Sequence, residues 1–140
     1  MIRHQVLLVD DCLEDRVTYR RFLEKDSNLH YQIREATCAE TALEQCDQQF
    51  PDTIVLDYLL PDADGLEFLA ELKQQFPERS PSVILLTGQG NEAVALQARQ
   101  LGVQAFLVKG ELTAPLFREA VHHALSLSVN KAAETLSQTG

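Results

Sequence analysis

Four short stretches of this chain deliver residues that could do chemistry, each directly after an apolar run. Asp10-Asp11 follows Val6-Leu7-Leu8-Val9, and Asp57 follows Thr53–Leu56. Thr87-Gly88 follows Val83-Ile84-Leu85-Leu86, and Lys109-Gly110 follows Ala105–Val108. Brought together, they amount to three carboxylates, a hydroxyl and an ammonium. Three carboxylates in close contact repel one another, so either some are protonated or a cation holds them. Mg²⁺ suits such a set, because it prefers oxygen ligands, keeps several waters and is typically held by one or two carboxylates plus a phosphate. The combination has the composition of a phosphoryl-transfer site. Asp57 would be a carboxylate nucleophile, and Mg²⁺, Lys109 and Thr87 would contact the three equatorial oxygens of the group in transfer.

The elements that must position these residues follow from the apolar pattern. Val6–Val9, Tyr31–Ala36, Thr53–Leu56, Val83–Leu86 and Ala105–Val108 read as strands buried on both faces. Between them the apolar spacing turns helical: Leu69, Leu72 and Phe76 share a face, as do Val94, Ala98 and Leu101, and Phe117, Ala120, Val121 and Ala124. Two less clearly patterned helices, about 13–25 and 39–48, carry Leu13, Val17 and Leu23, and Ala42, Leu43 and Cys46. Asp64 and Glu67 have capping-box spacing, Gly102 follows Leu101 as a C-terminal glycine, and Thr113 can cap the last helix. A β-α alternation repeated five times predicts an α/β fold, a doubly wound five-stranded parallel sheet with right-handed crossovers. In such a sheet ligands bind beyond the carboxyl ends of the strands, where the residues above are placed. The second strand delivers only Glu35 there.

Composition narrows the function. The 140 residues fit one domain. The net charge of −9 argues against a nucleic-acid-binding surface and against an anionic membrane surface. No aliphatic run approaches the roughly 20 residues of a spanning helix or the roughly 7–15 of a signal-peptide core, which points to the cytoplasm. Cys12, Cys38 and Cys46 match no metal spacing and read as reduced packing residues.

Over residues 4–126 the chain resembles the response-regulator receiver domain of two-component signalling, in its stand-alone single-domain form. The resemblance is carried by Val6–Asp11, by Asp57-Tyr58-Leu59-Leu60-Pro61-Asp62-Ala63-Asp64-Gly65, by Leu85–Gly88 and by Ala105–Lys109. It implies a flavodoxin-like sheet of order 2-1-3-4-5 with five helices. It implies Asp57 as phosphoacceptor, Asp10 and Asp11 as the metal pair, and the Leu59 backbone carbonyl as a further Mg²⁺ ligand. Thr87 becomes the switch hydroxyl, Lys109 the cation at the phosphoryl group, and Phe106 the rotating aromatic. The partners implied are a sensor histidine kinase and, downstream, a protein or a second copy of the chain. The latter would meet the face of helix 4, strand 5 and helix 5, which carries Val94, Gln97, Arg99, Phe106 and Arg118. The only catalysis implied is the chain's own phosphoryl transfer and slow autodephosphorylation, so it is not an enzyme acting on other substrates. The receiver is expected over 1–126, with 127–140 a tail, a helix extension or the start of a linker.

Departures from the family pattern matter. Gly110 stands where proline usually follows the lysine through a cis bond. A cis bond costs about 2.5–4 kcal/mol without proline, so a trans peptide and a displaced loop are expected, with Lys109 still reaching Asp57. Phe106 lacks a tyrosine hydroxyl. Apolar Leu59 suggests a shielded phosphoryl group, while Gln89 could still orient a water.

Arg16, Arg20 and Arg21 form a basic stripe on the first helix, either a solvated face or a dock for the kinase. His122-His123 reads as surface. An aspartyl phosphatase would need an acid two residues after Asp57, where Leu59 stands. A flavin carrier would need a phosphate loop where Asp10–Asp15 is acidic. A degenerate receiver working as a phosphorylation-independent interaction module is the remaining alternative.

Overall fold

The computed structural model describes the backbone of residues 2–139 and the side chains of 2–127. In chain order the elements are β1 (Arg3–Val9), α1 (Leu13–Glu24), β2 (His30–Ala36), α2 (Ala39–Gln48) and β3 (Thr53–Asp57). Then come α3 (Gly65–Gln75), β4 (Ser82–Thr87), α4 (Glu92–Gln100), β5 (Ala105–Val108), a 3₁₀ turn (Lys109–Glu111) and α5 (Ala114–Thr139). The five strands form one parallel sheet in the order β2-β1-β3-β4-β5. The expected boundary at 126 abuts residues 128–140, whose side chains lie outside those described.

Alternate residues of each strand face opposite sides, so the sheet supports two cores. Leu7, Val9, Ile54, Leu56, Val83 and Leu85 pack with α2, α3 and α4 through Ala42, Cys46, Phe68, Leu72 and Ala98. Val6, Leu8, Val55, Ile84 and Leu86 pack with α1 and α5 through Tyr19, Leu23, Phe117, Val121 and Ala124. The central strands are buried on both faces as expected. The edge strands differ: β5 is half-buried along its length, and β2 is exposed at His30 and Gln32 and half-buried elsewhere until the buried Ala36.

The first helix corrects its expected face. Leu13 is 63% and Val17 39% exposed, whereas Tyr19 and Leu23 are buried. Tyr19 stacks on Phe117, at 5.4 Å between ring centres, so the aromatic ring rather than the first aliphatic residues seats α1 against α5.

Local signals set the helix ends. Asp64 and Glu67 form a reciprocal capping box at the start of α3. Thr113 Oγ1 accepts from Leu116 N at 3.3 Å, opening α5. Gly102 stops α4 at φ +87°, a conformation open to glycine and strained for other residues. Cys38 gives α2 no side-chain cap. Instead Asp62, from the loop after Asp57, accepts from Ala39 N at 2.8 Å and Glu40 N at 3.0 Å. The loop that follows the central aspartate is thereby tied to α2.

Candidate functional site

The carboxyl edge of the sheet brings the sequence-derived residues together. Ligand oxygens of Asp10, Asp11 and Asp57 lie within 4.8 Å of one another. Asp10 and Asp57 are 1% and 7% exposed, while Asp11 is open to solvent. Asp10 is fixed from several sides: Cys12 N donates to Oδ1 at 2.9 Å, and Arg16 Nη1 donates to its carbonyl at 2.7 Å. The buried Tyr19 hydroxyl stands 3.5 Å from Oδ2. Burial first, then the neighbouring Asp10 charge, pushes the Asp57 carboxyl up to about 6, against the pull of Lys109 and the Leu59 N–H.

A buried carboxylate pair with one exposed acidic neighbour and an outward opening fits a hard divalent cation with retained waters. The raised Asp57 pKa is consistent with that set: burial contributes most to it and the neighbouring Asp10 charge adds to it. The Leu59 main chain lies at this edge, bridged to Asp64. Its side chain is 69% exposed.

Lys109 is the cation of the cluster. Its Nζ lies 2.8 Å from Asp15 Oδ2, 2.9 Å from Asp10 Oδ2 and 3.5 Å from Asp57 Oδ2. Hydrogen bonds to Asp15 and Asp10 hold the ammonium well above the usual lysine range, although burial opposes them. The Lys109–Gly110 peptide is trans, and Gly110 lies in the 3₁₀ turn with open space around it. The peptide is thus trans as expected, and Lys109 still reaches the acidic edge.

Thr87 is 7% exposed, and its hydroxyl donates to the Gln89 carbonyl at 3.0 Å, within its own loop. Phe106 is half-buried against the core on the α4 side.

Two expectations need correction. Arg16 and Arg20 do not form a free basic stripe: both pair with Glu35 of β2, at 3.0 and 2.7 Å, leaving Arg21 as the exposed cation of the three. Those pairs hold the Glu35 carboxyl low despite burial. Arg118 does not belong to the α4–β5–α5 face, because its guanidinium donates to the Phe22 carbonyl of α1 at 3.2 Å.

Asp15 and Tyr19 are site residues that the sequence reading did not single out. Both lie on α1, whose first turn starts three residues after Asp10. That spacing was the available signal, since a helix starting so close to a strand end turns its first residues over that end.

Comparison with known proteins agrees with the geometry. The family model of the response regulator receiver domain matches residues 6–122. The chemotaxis protein CheY of Bacillus subtilis is 28% identical over 127 residues, 91% of this chain and 98% of that protein. CheY of Listeria monocytogenes is 31% identical over 105 residues, 75% of this chain and 85% of that protein. The receiver domain of NtrX from Brucella abortus superposes with a TM-score of 0.75 at 29% identity, covering 86% of this chain and 98% of that one. Central carboxylates, lysine and hydroxyl thus sit at the edge of a sheet whose order and sequence both match: the chain belongs to the response regulator receiver domain family of two-component signalling.

Proposed function

We propose that the chain accepts a phosphoryl group from a sensor histidine kinase onto Asp57 and passes the signal on by changing its binding to a protein partner or to itself. The observation that carries this reading is the placement of Asp57, buried and flanked by Asp10, beside an exposed Asp11 and a cationic Lys109. Asp57 supplies the oxygen that forms the new bond to phosphorus, while the phosphorus–nitrogen bond to the donor histidine breaks and the imidazole leaves. Asp10, Asp11, Asp57 and the Leu59 carbonyl would hold Mg²⁺, which when bound neutralises charge on the carboxylates and the incoming phosphoryl oxygens. Lys109 offers an N–H to the same oxygens, and Thr87 can do so once its hydroxyl leaves Gln89. The residues act by placement and charge; no external substrate is turned over.

Arg21, at the exposed end of the former stripe, is a contact for the kinase, whereas Arg16 and Arg20 serve the α1–β2 packing. The responsive face is α4–β5–α5 without Arg118, with Val94, Gln97, Arg99 and Phe106. No described helix is long and apolar enough to cross a membrane. The cytoplasm suits the three free thiols and a kinase donor.

Intact-mass measurement after incubation with acetyl phosphate tests the reading. One phosphoryl mass is expected with Mg²⁺, and none with chelator or in Asp57→Asn. A gain that survives Asp57→Asn would remove Asp57 from the role. No gain under any condition would favour a phosphorylation-independent interaction module, for which the Gly110 loop is the structural argument.

A further inference from the structure

We propose that Asp15 is the resting-state acceptor for Lys109, competing with Asp57 and its phosphoryl group for the ammonium and so limiting the yield and lifetime of the phosphorylated form. The proposal rests on Asp57 as phosphoacceptor and adds a regulator to that site.

An ammonium has three hydrogens to give. In this structure the two shortest contacts go to Asp15 at 2.8 Å and Asp10 at 2.9 Å, and Asp57 is left at 3.5 Å. That last distance is beyond a good hydrogen bond. Asp10 is immobilised by Cys12 N and buried against Tyr19. Asp15 differs, since its side chain is 35% exposed and could be solvated by water instead. It also lies outside the set of three carboxylates that converge on a common point. Its charge is directed at Lys109 and not at the cation position.

The lysine can change partners. It begins the 3₁₀ turn Lys109–Glu111, no proline ring follows it, and a Cβ added at Gly110 would meet nothing within 4 Å. Where the family usually has proline after the lysine, this chain has Gly110, and the lysine is ion-paired to Asp15 of α1.

Phosphorylation turns the single negative charge of Asp57 into about −1.5 to −2 and adds three strong acceptors. Asp15 then opposes the modified state in two ways, as a like charge close to the phosphoryl group and as a rival acceptor for Lys109. Both effects have the same sign. A purely structural Asp15 would have the opposite sign, because its loss would loosen α1 or misplace Lys109 and lower phosphorylation.

The experiment compares the wild-type chain, Asp15→Asn and Asp15→Glu. The phosphorylated fraction is followed by intact mass across acetyl phosphate concentration with Mg²⁺, then over time after donor removal. Asp15→Asn should reach half-maximal phosphorylation at roughly two- to fivefold lower donor, the scale of a partly exposed ion pair, and decay more slowly. Asp15→Glu keeps the charge and should gain less. A crystal structure of metal-free Asp15→Asn should show Lys109 Nζ within hydrogen-bond distance of Asp57. Unchanged or reduced phosphorylation in Asp15→Asn, with wild type phosphorylated normally, overturns the role of Asp15 alone. Failure of wild type to take up phosphate overturns the reading of Asp57 and this proposal with it.

Discussion

His122 Nε2 lies 2.5 Å from Asp26 Oδ2, joining α5 to the turn between α1 and β2 across 96 positions of chain. Asp26 also accepts from the Tyr31 hydroxyl at 2.6 Å and from the main-chain N–H groups of Asn28 and Leu29 at 2.9 and 3.3 Å. Burial alone would raise this carboxyl, but the bonds from Tyr31, His122 and Asn28 outweigh it and hold it at about 2. The network sits away from the acidic edge, so it stabilises the fold without touching the chemistry.

Acid stability follows from that network. A carboxyl lower in the folded chain than in the unfolded one stabilises above the unfolded value and loses its contribution as pH falls through the folded one. For Asp26 the window runs from about pH 4 down to about pH 2 and is worth on the order of 2 kcal/mol. Asp26→Asn should therefore unfold at lower urea than wild type at pH 7, and the gap should shrink at pH 3. An equal gap at both pH values would show that Asp26 does not carry this dependence.

Asp57 has the opposite sign. Its folded value of about 6 lies above that of an ordinary carboxyl, so its contribution is fully present below about pH 4 and is lost as pH rises through about 6. The metal-free chain should lose on the order of 3 kcal/mol across that window from this group alone. Mg²⁺ should restore stability at pH 7.5 and do little at pH 4.5, where Asp57 is protonated. Asp57→Asn should be more stable than metal-free wild type at pH 7.5 and gain less from Mg²⁺. Thermal melts at the two pH values with and without Mg²⁺ check this; equal Mg²⁺ gains at both would remove Asp57 as the titrating ligand.

Most of the scaffold was legible because periodicity reports burial. The runs at Val6, Thr53, Val83 and Ala105 mark strands, and whatever follows a parallel strand must reach the carboxyl edge, so Asp10, Asp11, Asp57, Thr87 and Lys109 were found together. The side-chain pairings were hidden because they depend on helix orientation. Leu13 and Val17 suggested the wrong face of α1, and with that face wrong neither Tyr19 under Asp10 nor Asp15 beside Lys109 could be placed. Glu35 on a marginal edge strand gave no hint of taking both Arg16 and Arg20. Asp62 caps α2 from a distant loop, a contact without sequence periodicity.

Gly65 opens α3 in the tightest place near the site. A Cβ built there would come 2.9 Å from Leu85 Cδ1, 3.2 Å from Tyr58 Cα and 3.3 Å from the Asp57 carbonyl oxygen. The leucine tip can yield, but the two main-chain atoms beside Asp57 cannot without moving the loop. Gly65→Ala should cost about 1–3 kcal/mol in urea denaturation and slow phosphorylation by acetyl phosphate. A variant as stable and as fast as wild type would show that the loop has slack.

Thr87 tests whether chemistry and output are separable. In this structure its hydroxyl donates to the Gln89 carbonyl and not to Asp57. On the proposed phosphorylation of Asp57 the new oxygens would compete for that proton, and turning toward them would give up the Gln89 bond. The loop between β4 and α4 would then lose that tie, and Phe106, half-buried against the core on the α4 side, is the bulky group expected to respond. Two arrangements of one loop, biased by one hydrogen bond, make a population shift, for which coupling of about 1–3 kcal/mol is usual. In wild type, phosphorylation should therefore change partner affinity or self-association about 5- to 150-fold. Thr87→Ala removes the donor but leaves Asp57, Asp10, Asp11 and Lys109 in place. Its phosphorylated fraction by intact mass should stay near that of wild type, while the phosphate-dependent change in sedimentation or partner binding collapses. If Thr87→Ala instead abolishes phosphorylation, and the residual phosphorylated fraction still shows the full affinity change, then Thr87 acts in the transfer step and the switch lies elsewhere.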